Sequence, residues 1–125
     1  MICFAVALAP TVTGLRVFPA TILEQLDIRI GTILAVEVIP ESKKLYDLTV
    51  DVGDPEPRHI LVAWRRYYQP EELRGKQLPI CCNIEWREMA GRISQGRALT
   101  SYLPGGSIPQ LMIPAQPTDV GTRVW

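Results

Sequence analysis

The chain has 125 residues, of which 47% are hydrophobic and 21% charged. That is enough for one domain of ordinary size, too few for two, and unlike a disordered or fibrous polymer. Thirteen basic and thirteen acidic side chains cancel, so no global field draws the chain onto nucleic acid or a membrane.

Residues 2–9 form an apolar run without a basic flank, too short to span a bilayer. Residues 1–18 therefore read as a non-signal extension, either a strand packed on the domain or a frayed tail. After Pro19, residues 22–25 have room for one helical turn. Residues 28–38 are the first long β candidate. Ile28 and Ile30 are in phase with Val36 and Val38 but not with Ile33 and Ala35, which makes Gly31 a bulge or bend. Leu48, Val50 and Val52 alternate with Asp47, Thr49 and Asp51, the pattern of a half-buried strand.

Residues 60–64 are a short apolar strand. Gln69-Pro70-Glu71-Glu72-Leu73 suits a short helix, with Pro in its first turn, two Glu at the positive end of the dipole and Gly75 as its stop. Residues 77–83 form a strand that Pro79 assigns to an edge or a bulge. Residues 86–95 read as a polar, basic connection, residues 97–102 as a further strand, and residues 111–113 and 120–125 as apolar closing segments. Eleven Pro and nine Gly fit this sequence of short strands and turns. The expected class is all-β: a five-stranded OB-fold barrel over residues 19–125, with one short helix and N- and C-terminal extensions.

Between residues 58 and 97 lie eight basic side chains against four acidic ones, a net of +4, so the rest of the chain is −4. This suggests an anionic partner held at one face; the alternative is an Arg-rich solvated surface. Cys3, Cys81 and Cys82 lack metal-ligand spacing, and with the single His59 they make no zinc set. An odd number of cysteines fits a reducing, cytoplasmic compartment. His59 has no nucleophile near it in sequence and reads as structural or surface. No catalytic set, metal or cofactor is expected.

Four segments carry a resemblance. They are Leu26-Asp27-Ile28-Arg29-Ile30-Gly31-Thr32-Ile33; Pro40 to Tyr46 running into Val50-Asp51-Val52-Gly53; Arg65-Arg66-Tyr67-Tyr68-Gln69-Pro70-Glu71-Glu72-Leu73-Arg74-Gly75-Lys76; and Asn83, Arg87, Gly91 with Ser94-Gln95-Gly96. Together they resemble the tRNA-binding domain family, which includes free-standing dimeric tRNA-binding proteins, domains of methionyl- and tyrosyl-tRNA synthetases, and the CsaA-type export chaperones. The resemblance covers about residues 20–102, and the closing segment is similar to that of the dimeric members. Trp86 stands where the family has Pro, Glu88 where it has Lys, Glu85 where it often has Lys, Arg97 where it has Met, and Ile39 where many members have His. Two positive positions have thereby become negative, which weakens attraction to phosphate.

The resemblance implies a non-catalytic module that recognises tRNA by shape and backbone. Its RNA-binding candidates are Lys43, Lys44, Arg65, Arg66, Asn83, Trp86, Arg87, Ser94, Gln95 and Arg97. Lys43 and Lys44 either contact phosphate or belong to a solvated loop. One of Arg65 and Arg66 projects outward while the other pairs with Glu71 or Glu72. Ser94 either binds RNA or closes a turn beside Gly96. Trp64 and at least one Tyr belong to the core, leaving Trp86 as a stacking platform. The implied partners are tRNA, a second copy in a homodimer, and an aminoacyl-tRNA synthetase or unfolded export substrates, with no membrane. The alternative function is a CsaA-like chaperone that binds unfolded polypeptide in an apolar groove.

Overall fold

Strand β1 (Ile28–Val38) is the axis of the fold because both of its edges are used. The computed structural model describes residues 16–103, 105–106 and 108–125; most of the expected N-terminal extension, Cys3 included, lies outside them. The second half of β1 pairs antiparallel with β2 (Tyr46–Asp51), which pairs with β3 (Arg58–Val62). Its first half pairs with β4 (Gln77–Cys81), and β4 pairs with β7 (Arg97–Ala98). The sheet order β3-β2-β1-β4-β7 makes the expected five-stranded antiparallel, nearly closed barrel.

The alternation on β2 is read by the core. Leu48, Val50 and Val52 are fully buried with Ile33, Ile60, Leu78 and Ile80. Trp64 and Tyr46 are buried too, and Tyr68 packs against Trp64 edge to face. Burial in this core pushes the Cys82 thiol up from its ordinary value. Gly31 is needed for closeness and not for a bulge. A Cβ there would lie 2.6 Å from a Val50 methyl, and the register shift falls between Ile33 and Ala35.

The expectation that Pro79 marks an edge is corrected: β4 has neighbours on both sides. Pro79 faces Ile30, in the register where neither N–H points at the partner strand, so the ring removes nothing there. On the other side Leu99 donates to the Pro79 carbonyl (3.0 Å) and receives nothing in return, and β7 ends at Ala98.

Two ribbons lie outside the barrel sheet. The stretch expected as a polar connection is a hairpin of β5 (Arg87–Met89) and β6 (Arg92–Ser94), turned through Ala90 (φ 51°) and Gly91 (φ 77°). The expected single strand at 97–102 breaks after Ala98. Its second part, β8 (Thr100–Tyr102), pairs with β9 (Pro109–Leu111).

Two short helices, α1 (Thr21–Glu24) and α2 (Pro70–Leu73), complete the elements among the described residues. In α2 Leu73 is the buried anchor, and the Glu72 carboxylate accepts from the Gln69 N–H at 2.7 Å. The C-terminal segment forms no long strand. Instead Ile30 N–H donates to Thr122, Gly121 N–H to Ile30, and Val124 N–H to Ile28, occupying the edge of β1 that β2 leaves free.

Candidate nucleic-acid interface

Closure between β3 and the chain leading into β7 is made by side chains. Ser94 is buried; its Oγ accepts from Leu61 N–H and donates to the Gly96 carbonyl, both at 3.0 Å. Gln95 Oε1 accepts from His59 N–H at 2.7 Å, and Gln95 N–H donates to the His59 carbonyl. Arg58 donates to the carbonyls of Cys82 and Gln95 and pairs with Asp54. Gly96 has no room for a side chain, since a Cβ would sit 2.7 Å from the Cys81 carbonyl oxygen.

The β5–β6 hairpin folds one face onto this seam. Register pairs Arg87 with Ser94 and Met89 with Arg92, so these four share the inner face while Glu88 and Ile93 share the outer one. Arg92 reaches the Asp47 carboxylate at 3.0 Å and Glu37 at 3.0 Å. Asp47 is buried, and its second oxygen meets His59 Nδ1 at 2.9 Å. The Arg92 guanidinium holds the Glu37 carboxyl below its ordinary value.

Between the hairpin and the end of β3 runs a groove of about 310 Å3. Leu45, Leu61, Val62, Trp64, Met89, Leu99 and Tyr102 supply most of its apolar lining. Its polar lining includes Glu85, Arg87 and Arg97. All three are exposed, and none takes an ion pair with the described residues.

The ten candidates sort by what they touch. Arg87, Ser94 and Arg97 line the groove. Lys43 and Lys44 are exposed on the loop before Leu45, and Arg66 is exposed two residues after Trp64; none of the three belongs to the groove lining. Arg65 donates to the Ser42 carbonyl and pins that loop, so it does not pair with Glu71 or Glu72 as expected. Asn83 accepts from Asp27 N–H and donates to the Gln25 carbonyl, both at 2.8 Å, tying the start of β1 to the end of β4. Ser94 and Gln95 spend their polar atoms on the seam. Trp86 is 57% exposed and lies outside the groove lining, although its neighbours Glu85 and Arg87 both belong to it.

The aromatic face open to the groove is Tyr102, 55% exposed, which sequence reasoning missed. No local signal marks it, since it arrives through the break after β7. Glu85 was not legible either: it precedes β5, and it lines the groove together with the adjacent Ile84, so no period-two rule selects it.

A second network fixes the chain ends. Arg29 binds Asp27 and Asp54, each at 2.8 Å, and Arg123 approaches Asp27 at 3.5 Å. The Arg29 guanidinium holds both carboxyls below the usual aspartate range. Among the described residues no helix is long and apolar enough to cross a membrane.

Residues 28–123 match the family described as "Putative tRNA binding domain". The methionine–tRNA ligase of Methanocaldococcus jannaschii is 38% identical over 91 residues, 73% of this chain and 14% of that protein. That of Methanosarcina mazei is 36% identical over 100 residues, 80% of this chain and again 14% of that protein. The chain thus spans about one seventh of the curated relatives it matches. Among solved structures, a MetRS-related protein from Pyrococcus horikoshii superposes with a TM-score of 0.81 at 28% identity, covering 89% of this chain and all of the other. The chaperone CsaA from Bacillus anthracis shares the fold, with a TM-score of 0.77 at 24% identity, over 88% of this chain and all of the other.

Proposed function

The chain belongs to the tRNA-binding domain family, and from that premise we propose that it is a non-catalytic module that holds tRNA along the groove between the β5–β6 hairpin and β3. The observation that carries this reading is the sorting of cations. Arg58, Arg65 and Arg92 are consumed inside the protein, whereas Arg87 and Arg97 line the groove, and Lys43, Lys44 and Arg66 are exposed close in sequence to its lining residues Leu45 and Trp64. Unneutralised guanidinium and ammonium groups along one path suit a phosphate backbone. Asn83, Ser94, Gln95 and Arg65 then serve by holding the walls in place, and Trp86 lies off that path. The methionine–tRNA ligase relatives support a role as a tRNA-binding partner or part of a synthetase.

A second reading has a specific observation behind it. The apolar walls (Leu45, Leu61, Val62, Leu99) would also hold an extended peptide, as the fold of the chaperone CsaA suggests. Filter binding with bulk tRNA at two salt concentrations separates the two. Phosphate contacts predict an affinity that falls steeply with salt. Salt-insensitive binding, or tRNA binding weaker than binding of an unfolded polypeptide, would reject the tRNA reading.

A further inference from the structure

Glu85 is the one acidic residue in the groove lining, beside two arginines that take no ion pair with the described residues. Toward phosphate a carboxylate in that position is repulsive, so a ligand that enters must meet it with hydrogen-bond donors. The three kinds of lining make three separate demands. The apolar wall with the open face of Tyr102 accepts a flat ring. Arg87 and Arg97 accept an anion. The Glu85 carboxylate, acceptor-only when ionised, pairs best with two adjacent donors.

A nucleotide meets all three, and the third demand chooses the base. Guanine presents N1–H and the N2 amino group side by side on its pairing edge. Adenine and cytosine offer one amino group next to an acceptor, and uracil one imino hydrogen between two acceptors. A space of about 310 Å3 is at the lower end for ligand sites, the scale of a single nucleotide.

We propose that the groove selects an unpaired guanosine in single-stranded RNA, with Glu85 accepting from N1–H and the N2 amino group, Arg87 and Arg97 on the adjoining phosphates, and Tyr102 against the base. This rests on the reading that the groove takes RNA. Specificity would then lie in the departure at Glu85: the carboxylate weakens general phosphate attraction and gains a base contact.

The test is fluorescence anisotropy with labelled uridine oligomers carrying one central guanosine, adenosine, cytidine or inosine, and with the plain oligomer. The guanosine oligomer should bind roughly tenfold more tightly than the others. Inosine lacks the N2 amino group and should lose most of that preference. Glu85→Gln replaces one acceptor with a donor and should level the series. Glu88→Gln, on the outer face of the hairpin, controls for net charge and should leave the preference intact. Equal binding of all oligomers by the wild-type protein, with bulk tRNA still bound, overturns the guanosine assignment alone. Preference that survives Glu85→Gln also overturns it. Failure to bind either the oligomers or tRNA overturns both it and the RNA reading of the groove.

Discussion

Replacing Ser94 with Ala separates a hydroxyl that closes the barrel from one that contacts RNA. Ser94 is 4% exposed, and its Oγ makes two hydrogen bonds of 3.0 Å across the seam. Truncation leaves Leu61 N–H without its acceptor in a place water does not reach, and Gly96 loses a donor to its carbonyl. A buried donor left unsatisfied costs about 1–3 kcal/mol, and about 2 kcal/mol is expected here. For a domain of this size that lowers Tm by roughly 10 °C, and the urea midpoint by about 1 M. Urea titration followed by tryptophan fluorescence reads the loss. The tRNA affinity is then measured at a temperature where both proteins are folded, and the variant should bind close to normally. An unfolding free energy within about 0.5 kcal/mol of wild type, the range of a neutral surface substitution, together with weakened tRNA binding, would refute the seam argument and return Ser94 to the ligand contacts.

Arg87→Ala and Arg97→Ala should each weaken tRNA binding at low salt and shallow the salt slope by about one unit or less, the signature of one lost phosphate contact; an unchanged slope in both moves the RNA elsewhere. Ala90 sits at φ 51° before Gly91, so Ala90→Asn supplies the residue that such a turn favours and should stabilise the protein by about 0.5–1 kcal/mol in urea titration. Asp27 and Asp54 have their pKa values lowered below 3.8 by Arg29. Their stabilisation is therefore complete above the unfolded value and is lost as pH falls below it and through the lower folded values; Arg29→Met should flatten that acid limb of urea midpoint against pH. Leu103, Ile108, Met112 and Ile113 are exposed around the β8–β9 ribbon, so a homodimer covering them is expected by light scattering, and a clean species at 14.0 kDa would reject it.

The barrel was legible where burial is periodic. Leu48, Val50 and Val52 announce β2 because each second side chain enters the core, and residues 28–38 announce β1 to the residue. The hairpin was not legible, because its strands are three residues long and its turn is Ala-Gly, not the Asn-Gly or Asp-Gly that signals such a turn. The edge reading of Pro79 failed because the proline is harmless toward β1, where its N–H would point away, and its cost falls on the β7 side, where the pairing stops. The fate of the arginines was hidden for a different reason. Arg92 meets Asp47 and Glu37 across 45 and 55 residues of sequence, and Arg65 meets Ser42 across 23. No local pattern distinguishes such an arginine from one left open to a ligand.

That hidden sorting reconciles a chain of zero net charge with the anionic partner proposed for it. Asp27 and Asp54 neutralise Arg29 and Arg58, and Glu37 and Asp47 neutralise Arg92. Arg29–Asp54 joins β1 to the turn before β3, and Arg92 joins the hairpin to β1 and β2, while Arg29–Asp27 and Arg58–Asp54 are local. Fold-holding pairs therefore absorb basic and acidic charge together, and the cations outside them decide the partner. Arg87 and Arg97 remain open because the hairpin and β7 bring them to a groove lined by Leu45, Leu61 and Leu99, where the described residues supply only Glu85 as an acid. Short-range attraction at such a site persists in a neutral protein, since at physiological salt a charge is felt over about 8 Å. The total charge of the chain lies mostly beyond that reach, whereas the lining of the groove lies within it.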